Sequence, residues 1–184
     1  MSAFTEFNGR LDWRRIDVQA IVGHHGLAVM DIARRSACLE WLRQQGYRVE
    51  QLDCTVGIGA VIERLGLTFH WEEQFGYRLG GGSRNLDALR DGFGFDVPAS
   101  GGVVFELFRP DLIWHEDARW LLGLLAIASE HSRAHLACGR RFFTLLVLPD
   151  RSSPLIGQKL DDVSVPCAHW EPCDEPHKLI KPDA

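Results

Sequence analysis

Asn85-Leu86-Asp87-Ala88-Leu89-Arg90-Asp91, NLDALRD in one-letter code, is the most informative stretch of this chain. Placed on a helix, Asp87 and Asp91 are four residues apart and share one face, whereas Leu86, Leu89 and Phe93 point the opposite way, toward a core. Two like charges at that spacing cost an isolated helix about 0.2–0.5 kcal/mol, which the adjacent helix N-terminus partly offsets for Asp87. A helix this short that accepts such a cost points to a use for both carboxylates at the surface.

The flanking segments set the fold class. Before NLDALRD, LAVMDI from Leu27 is an apolar run of strand length, and SACLEWLRQQG places Cys38, Trp41 and Leu42 at helical spacing between a capping Ser36 and a terminating Gly46. YRVEQLD alternates through Tyr47 and Val49 and, after a slip, Leu52, and so predicts a second strand. VGIGAVIERLGLTF carries a helical stripe, Val56, Ile58, Val61, Ile62 and Leu65, weakened by Gly57 and Gly59. The stretch FHWEEQFGYRLGGGSR reads as a loop, since three consecutive glycines impose a mobile or specially bent chain. Beyond NLDALRD, VVFELF predicts a strand closed by Pro110, HEDARWLLGLLAIASEHSRAHLACG one or two helices, and TLLVL a last strand stopped by Pro149. Strands that alternate with helices predict an α/β domain with a small, mainly parallel sheet of about four strands flanked by helices. The chain divides into an N-terminal arm over 1–26, the α/β domain over 27–149 and a Pro-rich C-terminal tail over 150–184.

Composition agrees with one globular domain. Of 184 residues 46% are apolar and 24% charged, and 25 acidic against 20 basic residues give a formal charge of −5. This excludes the profile of a disordered chain and that of a basic nucleic-acid binder. The most apolar window, Trp120 to Ala128, is too short to cross a bilayer, and MSAFTEFNGRLDW lacks the basic start and apolar stretch of a signal peptide, so the expected compartment is the cytoplasm. Five scattered cysteines, an odd count, predict reduced thiols and no disulfide framework.

NLDALRD closely resembles the NLDAL-x-D signature of the barstar family of intracellular ribonuclease inhibitors, and its surroundings follow the family order: strand, helix, aromatic-glycine loop (Phe75-Gly76-Tyr77), NLDAL, apolar strand, helix, final strand. The resemblance covers about residues 47–148, and the preceding strand and helix also fit; the arm and tail lie outside it. It implies a barstar-like fold, no cofactor and no enzymatic activity. The implied function is binding to a secreted or toxin ribonuclease, a basic protein, without direct contact to nucleic acid or membrane. A ribonuclease cleft focuses positive potential to hold RNA phosphates, and an acidic helix with its preceding loop takes the place of the RNA. Barstar with its nuclease is itself the reference case for such charge steering.

By resemblance, Asp87 and Asp91 meet the catalytic cations of the nuclease, Asn85 shapes the turn into the helix, and Gly76 or one of Gly80, Gly81 and Gly82 lets the backbone approach closely. Phe75 and Tyr77 compete for the aromatic contact, with Trp71 as a further candidate, and Glu130 is the nearest counterpart of a family acidic residue before the last strand. The chain departs from the family at Arg90, a cation where the family has Trp, and in its longer loop, RLGGGSR. A solvated Arg90 is a natural pair for Asp87 or Asp91.

Two other readings keep their place at this point. The same face suits a protein-interaction module for a basic partner that is not a nuclease. Cys167, His169, Cys173 and His177 form C-x-H-x3-C-x3-H in the tail, four candidate ligands for a zinc-binding protein, although the spacing is not that of a standard finger and Pro172 and Pro176 constrain it. An enzyme is not expected: neighbouring carboxylates on one exposed helix face do not enclose a substrate, and no P-loop, GxSxG, HExxH or dinucleotide fingerprint is present.

Overall fold

The computed structural model describes Phe4 and residues 12–160 and 163–167. Four parallel strands form one sheet in the order β1-β4-β3-β2: β1 (Leu27–Asp31), β2 (Tyr47–Asp53), β3 (Gly102–Phe108) and β4 (Phe142–Leu148). The protein is thus the α/β fold with a small parallel sheet and helical flanks that the alternation of strands and helices predicts. The central strands β3 and β4 are apolar almost throughout because both of their faces are covered.

Alternation along the strands separates two cores. On one face Ala28, Met30, Val104, Phe143, Leu145 and Val147 meet Cys38, Leu39 and Leu42 of α2 (Arg35–Gln44). The slip in YRVEQLD is this alternation: Tyr47 and Val49 pack on the α2 side, whereas Leu52 joins the opposite face. That second face, with Val103, Phe105, Leu107, Phe142 and Leu146, is covered by α3 (Ile58–Thr68), α5 (Leu86–Asp91) and α6 (Pro110–Ala137).

Three segments extend beyond the predicted elements. Within the N-terminal stretch, α1 (Ile16–Val18) continues into a π-helical turn (Gln19–Gly23), and Ile16, Val18, Ala20 and Ile21 are buried in the α2-side core. Its Asp17 is wholly buried and accepts hydrogen bonds from Arg15, at 2.6 and 2.9 Å, and from the Tyr47 hydroxyl at 2.8 Å. A five-residue helix, α4 (Trp71–Phe75), occupies part of the expected loop, bounded by His70 (φ 51°) and Gly76 (φ 74°) in left-handed conformations. In the C-terminal stretch, the short antiparallel pair β5 (Lys159–Leu160) and β6 (Val163–Ser164) lies against the larger core, where Leu155, Leu160, Val163 and Val165 are buried.

Helix α6 begins at Pro110, earlier than its apolar period suggests, and breaks at Asp117 (φ −157°, ψ 84°). Asp117 restarts it by accepting a hydrogen bond from the Trp120 amide at 2.9 Å, as an N-cap does. Among the described residues no helix is long and apolar enough to cross a membrane.

Candidate functional site

Helix α5 is held as a short ridge on α6. Asn85, extended at φ −76° and ψ 103°, caps it: Oδ1 accepts from the Asp87 amide at 3.0 Å and the Ala88 amide at 3.2 Å. Leu89 is fully buried, and Leu86 lies so close over Gly123 of α6 that a Cβ there would sit 2.3 Å from its Cδ1. The apolar side of NLDALRD therefore faces the core, and Asp87 and Asp91 stand exposed on the other side. Among the described residues neither carboxylate has a hydrogen-bond or ion-pair partner through its side chain.

Arg90 departs from the expected pairing. Its Nε lies 3.3 Å from Glu130 Oε2, so the cation is drawn to α6 and not to Asp87 or Asp91. Both members are about half exposed, at 49% and 55%, and such a surface pair contributes little stability. Its consequence is that Arg90 is engaged by α6, while the two aspartates keep no side-chain partner among the described residues.

The aromatic residues next to the ridge divide by burial. Trp71 is 1% exposed, with its six-membered ring against Gly92, the residue that ends α5. Phe75 and Tyr77 are 41% and 55% exposed and lie 4.5 and 6.2 Å from the Trp71 ring, so Trp71 is a buried support and the other two are its surface partners. At Gly76, Gly80 and Gly82 the space a Cβ would occupy is open, which leaves this backbone accessible to another molecule.

The glycine loop is fastened by residues that carry no motif. A turn closes from the Ser83 amide to the Gly80 carbonyl at 2.9 Å, Leu79 packs on Gly66, and Gly81 lies against the Gly59 carbonyl. Gly59 and Gly66 of α3 are thus the places where the loop crosses that helix closely, whereas Gly57 faces Glu116 of α6. Arg84 reaches Glu116 at 2.9 Å and Asp117 at 2.8 Å at the break in α6, and Glu116 also accepts from the Ile58 amide at 3.1 Å. One guanidinium therefore ties the entry to α5, the break in α6 and the start of α3 together. Between α5 and α6 a cavity of about 260 Å³ opens beside Asp87, floored by Leu122, Gly123 and Ala126.

Gly92 separates packing from conformational freedom. Its φ of −88° suits any residue, yet an added Cβ would fall 2.1 Å from Trp71 Cζ3. Gly92→Ala is expected to cost about 1–3 kcal/mol by overpacking, whereas Gly82→Ala, with open space and no positive φ, is expected to be neutral or to stabilise by about 0.4–1 kcal/mol. Urea unfolding of both variants measures the difference, and equal stabilities would contradict the Trp71–Gly92 contact.

Two histidines lie below the ridge. His131 stacks on Phe93 at 4.5 Å, and His135 packs on Phe95 at 5.4 Å and Phe142 at 5.9 Å. Burial pushes both imidazoles below the ordinary histidine range, and for His131 this outweighs the opposing pull of Glu130. His24 is lowered in the same way, by burial and then by His25. A histidine depressed in the folded state is neutral in both states above its unfolded value, so its stability contribution is complete there. It is lost as pH falls from about 6.5 through the folded value, because the unfolded chain binds the proton more readily. The unfolding midpoint is expected to drop between pH 7.5 and pH 5, above the carboxylate range, and to drop less in His131→Gln/His135→Gln. A midpoint that does not move over this window would refute the assignment.

No group of three or more His, Cys, Asp or Glu side chains in metal-ligating positions occurs among the described residues. Of the candidate zinc ligands, Cys167 is exposed with a free thiol, while His169, Cys173 and His177 lie outside the described residues. Cys38 and Cys54 are buried free thiols, and burial pushes Cys54 up to about 12, which leaves it unreactive. No protein-family model, curated protein or solved structure matches this chain.

Proposed function

We propose that the chain binds a ribonuclease or nuclease-like toxin in the cytoplasm and occludes its basic active site with α5 and the loop before it. The observation that carries this reading is the pair of exposed aspartates, Asp87 and Asp91, one helical turn apart and without a side-chain partner among the described residues. A surface carboxylate that pairs with no described side chain of its own protein is available to a cation elsewhere. Two of them on a rigid, capped helix present fixed charge with little ordering cost on binding. Phe75 and Tyr77 add exposed aromatic area beside the charges, the residue type enriched where binding energy concentrates. The chain performs no chemistry in this role: it fills a cleft and excludes RNA.

The test begins with capture from the native cell on the purified protein, followed by titration of the captured partner with RNA as substrate. A small basic nuclease recovered at equal stoichiometry, with activity falling to zero at one equivalent, is the expected result. Recovery of a basic partner without nuclease activity would retain the acidic face as a docking surface and discard the inhibitor role.

A further inference from the structure

The outer edge of β2 is a feature the proposed function leaves unused. In the order β1-β4-β3-β2 this strand pairs, among the described residues, with β3 alone, so alternate amides and carbonyls over Tyr47–Asp53 face away from the sheet. Proteins usually blunt such edges with charged side chains, proline, a bulge or a covering segment. The strand YRVEQLD contains no proline and its register against β3 runs unbroken through all seven residues, while its charges Arg48 and Glu50 are of opposite sign and so oppose pairing with a like strand only in some registers. Arg48 and Gln51 are exposed and Val49 and Glu50 partly so. Beside the strand a cavity of about 230 Å³ is lined by Arg48, Glu50, Arg64, Leu67, Thr68 and His70. Leu67, 69% exposed, is the most exposed large apolar side chain among the described residues.

We propose that this edge pairs with the same edge of a second copy of the chain, β2 running antiparallel to β2 about a two-fold axis through Val49, so that two four-stranded sheets join into one.

The occupant follows from charge. A two-fold axis that keeps corresponding helices of both copies on the same side of the joined sheet sets residues of equal parity opposite each other. Centred on Val49, the register places Arg48 of each copy opposite Glu50 of the other, and Tyr47 opposite Gln51. Centred on Arg48 or on Glu50, it sets two like charges face to face, which is unfavourable. Of these neighbouring registers only the one through Val49 is complementary, and the strand is then complementary to itself, as a symmetric interface requires. The charges meet on the α3 side, where Arg48 and Arg64 each already lie 3.2 Å from Glu50, so pairing exchanges one set of ionic contacts for another. The cavity beside β2 shares no residue with the one beside Asp87, and the two surfaces can work independently.

Sedimentation velocity over a concentration series tests this. The wild-type protein is expected to be dimeric at about 100 μM. Arg48→Glu and Glu50→Arg each place like charges across the axis and are expected to raise the dissociation constant at least about tenfold. An equimolar mixture of the two variants restores opposite charges at every pair and is expected to form the heterodimer. In the wild type, amide exchange over residues 47–53 should slow as concentration rises, a readout that needs no variant. A wild-type monomer, variants that dimerise alone as the wild type does, or folded variants that fail to associate when mixed would each overturn the proposal.

Discussion

Asp91→Ala is expected to weaken the proposed complex with a nuclease by about 2–5 kcal/mol, because it would leave desolvated cations of the partner's cleft without their counter-charge. Asp87→Ala is expected to cost less. Asp91 adjoins Gly92, on which rests the Trp71 ring that the exposed Phe75 and Tyr77 pack against, and a partner that covers those aromatics is expected to exclude water on this side. Asp87 borders the open cavity between α5 and α6, and a charge that keeps contact with solvent there is expected to gain less from pairing. Since neither side chain has a partner among the described residues, both variants should keep wild-type stability within about 0.5 kcal/mol, so a loss of affinity reports on the interface alone. The association rate of the wild type should fall with added salt, the Debye length being about 8–10 Å at 0.10–0.15 M. Titration calorimetry and stopped-flow mixing measure these quantities. Unchanged affinity in both variants would remove α5 from the interface.

Legibility in the sequence follows the range of the forces involved. VVFELF and TLLVL are readable as buried strands because burial on both faces demands an unbroken apolar run. The two sides of NLDALRD are readable because Leu86, Leu89 and Phe93 separate from Asp87 and Asp91 at the helical period, and the cap at Asn85 is a local interaction spanning three residues. Helix α4 is too short to show a period, and its limits are set by left-handed residues, one of them the non-glycine His70. The partners of Arg84 lie 32 and 33 residues away and converge only because α6 breaks at Asp117. Arg90 likewise chooses Glu130 over its sequence neighbours because α5 crosses α6 closely at Gly123, a contact that no local pattern encodes. The roles of Gly59, Gly66 and Gly123 as crossing points are tertiary for the same reason: in the sequence they only lower helix propensity.

Arg35→Met is expected to be among the most destabilising single changes on the surface of the fold, at about 3 kcal/mol. Glu106 is a wholly buried carboxylate on β3, next to Leu145 of β4 in the sheet register. Arg35, at the start of α2, binds both of its oxygens, through Nε to Oε1 and through Nη2 to Oε2 at 3.1 Å, while Gln51 of β2 donates to Oε2 at 2.8 Å. The guanidinium also covers the Phe108 ring at 4.6 Å. Methionine retains most of that apolar contact, so the loss isolates the charge: a buried anion left with a single neutral donor. Arg35 is itself 29% exposed and partly screened, which places the effect at the low end of the 3–5 kcal/mol typical, at roughly that scale, of broken buried pairs. The double variant Arg35→Met/Glu106→Met removes both charges and should recover most of the loss, since an apolar pair of similar volume avoids desolvating either ion. Urea unfolding of the two single variants and the double variant closes the cycle. Equal losses in Arg35→Met and in the double variant would mean that packing of α2, and not charge neutralisation, is what the pair supplies. Unchanged affinity of the double variant for the proposed nuclease partner would in turn confine the pair's role to joining α2 to the sheet, on the face opposite α5.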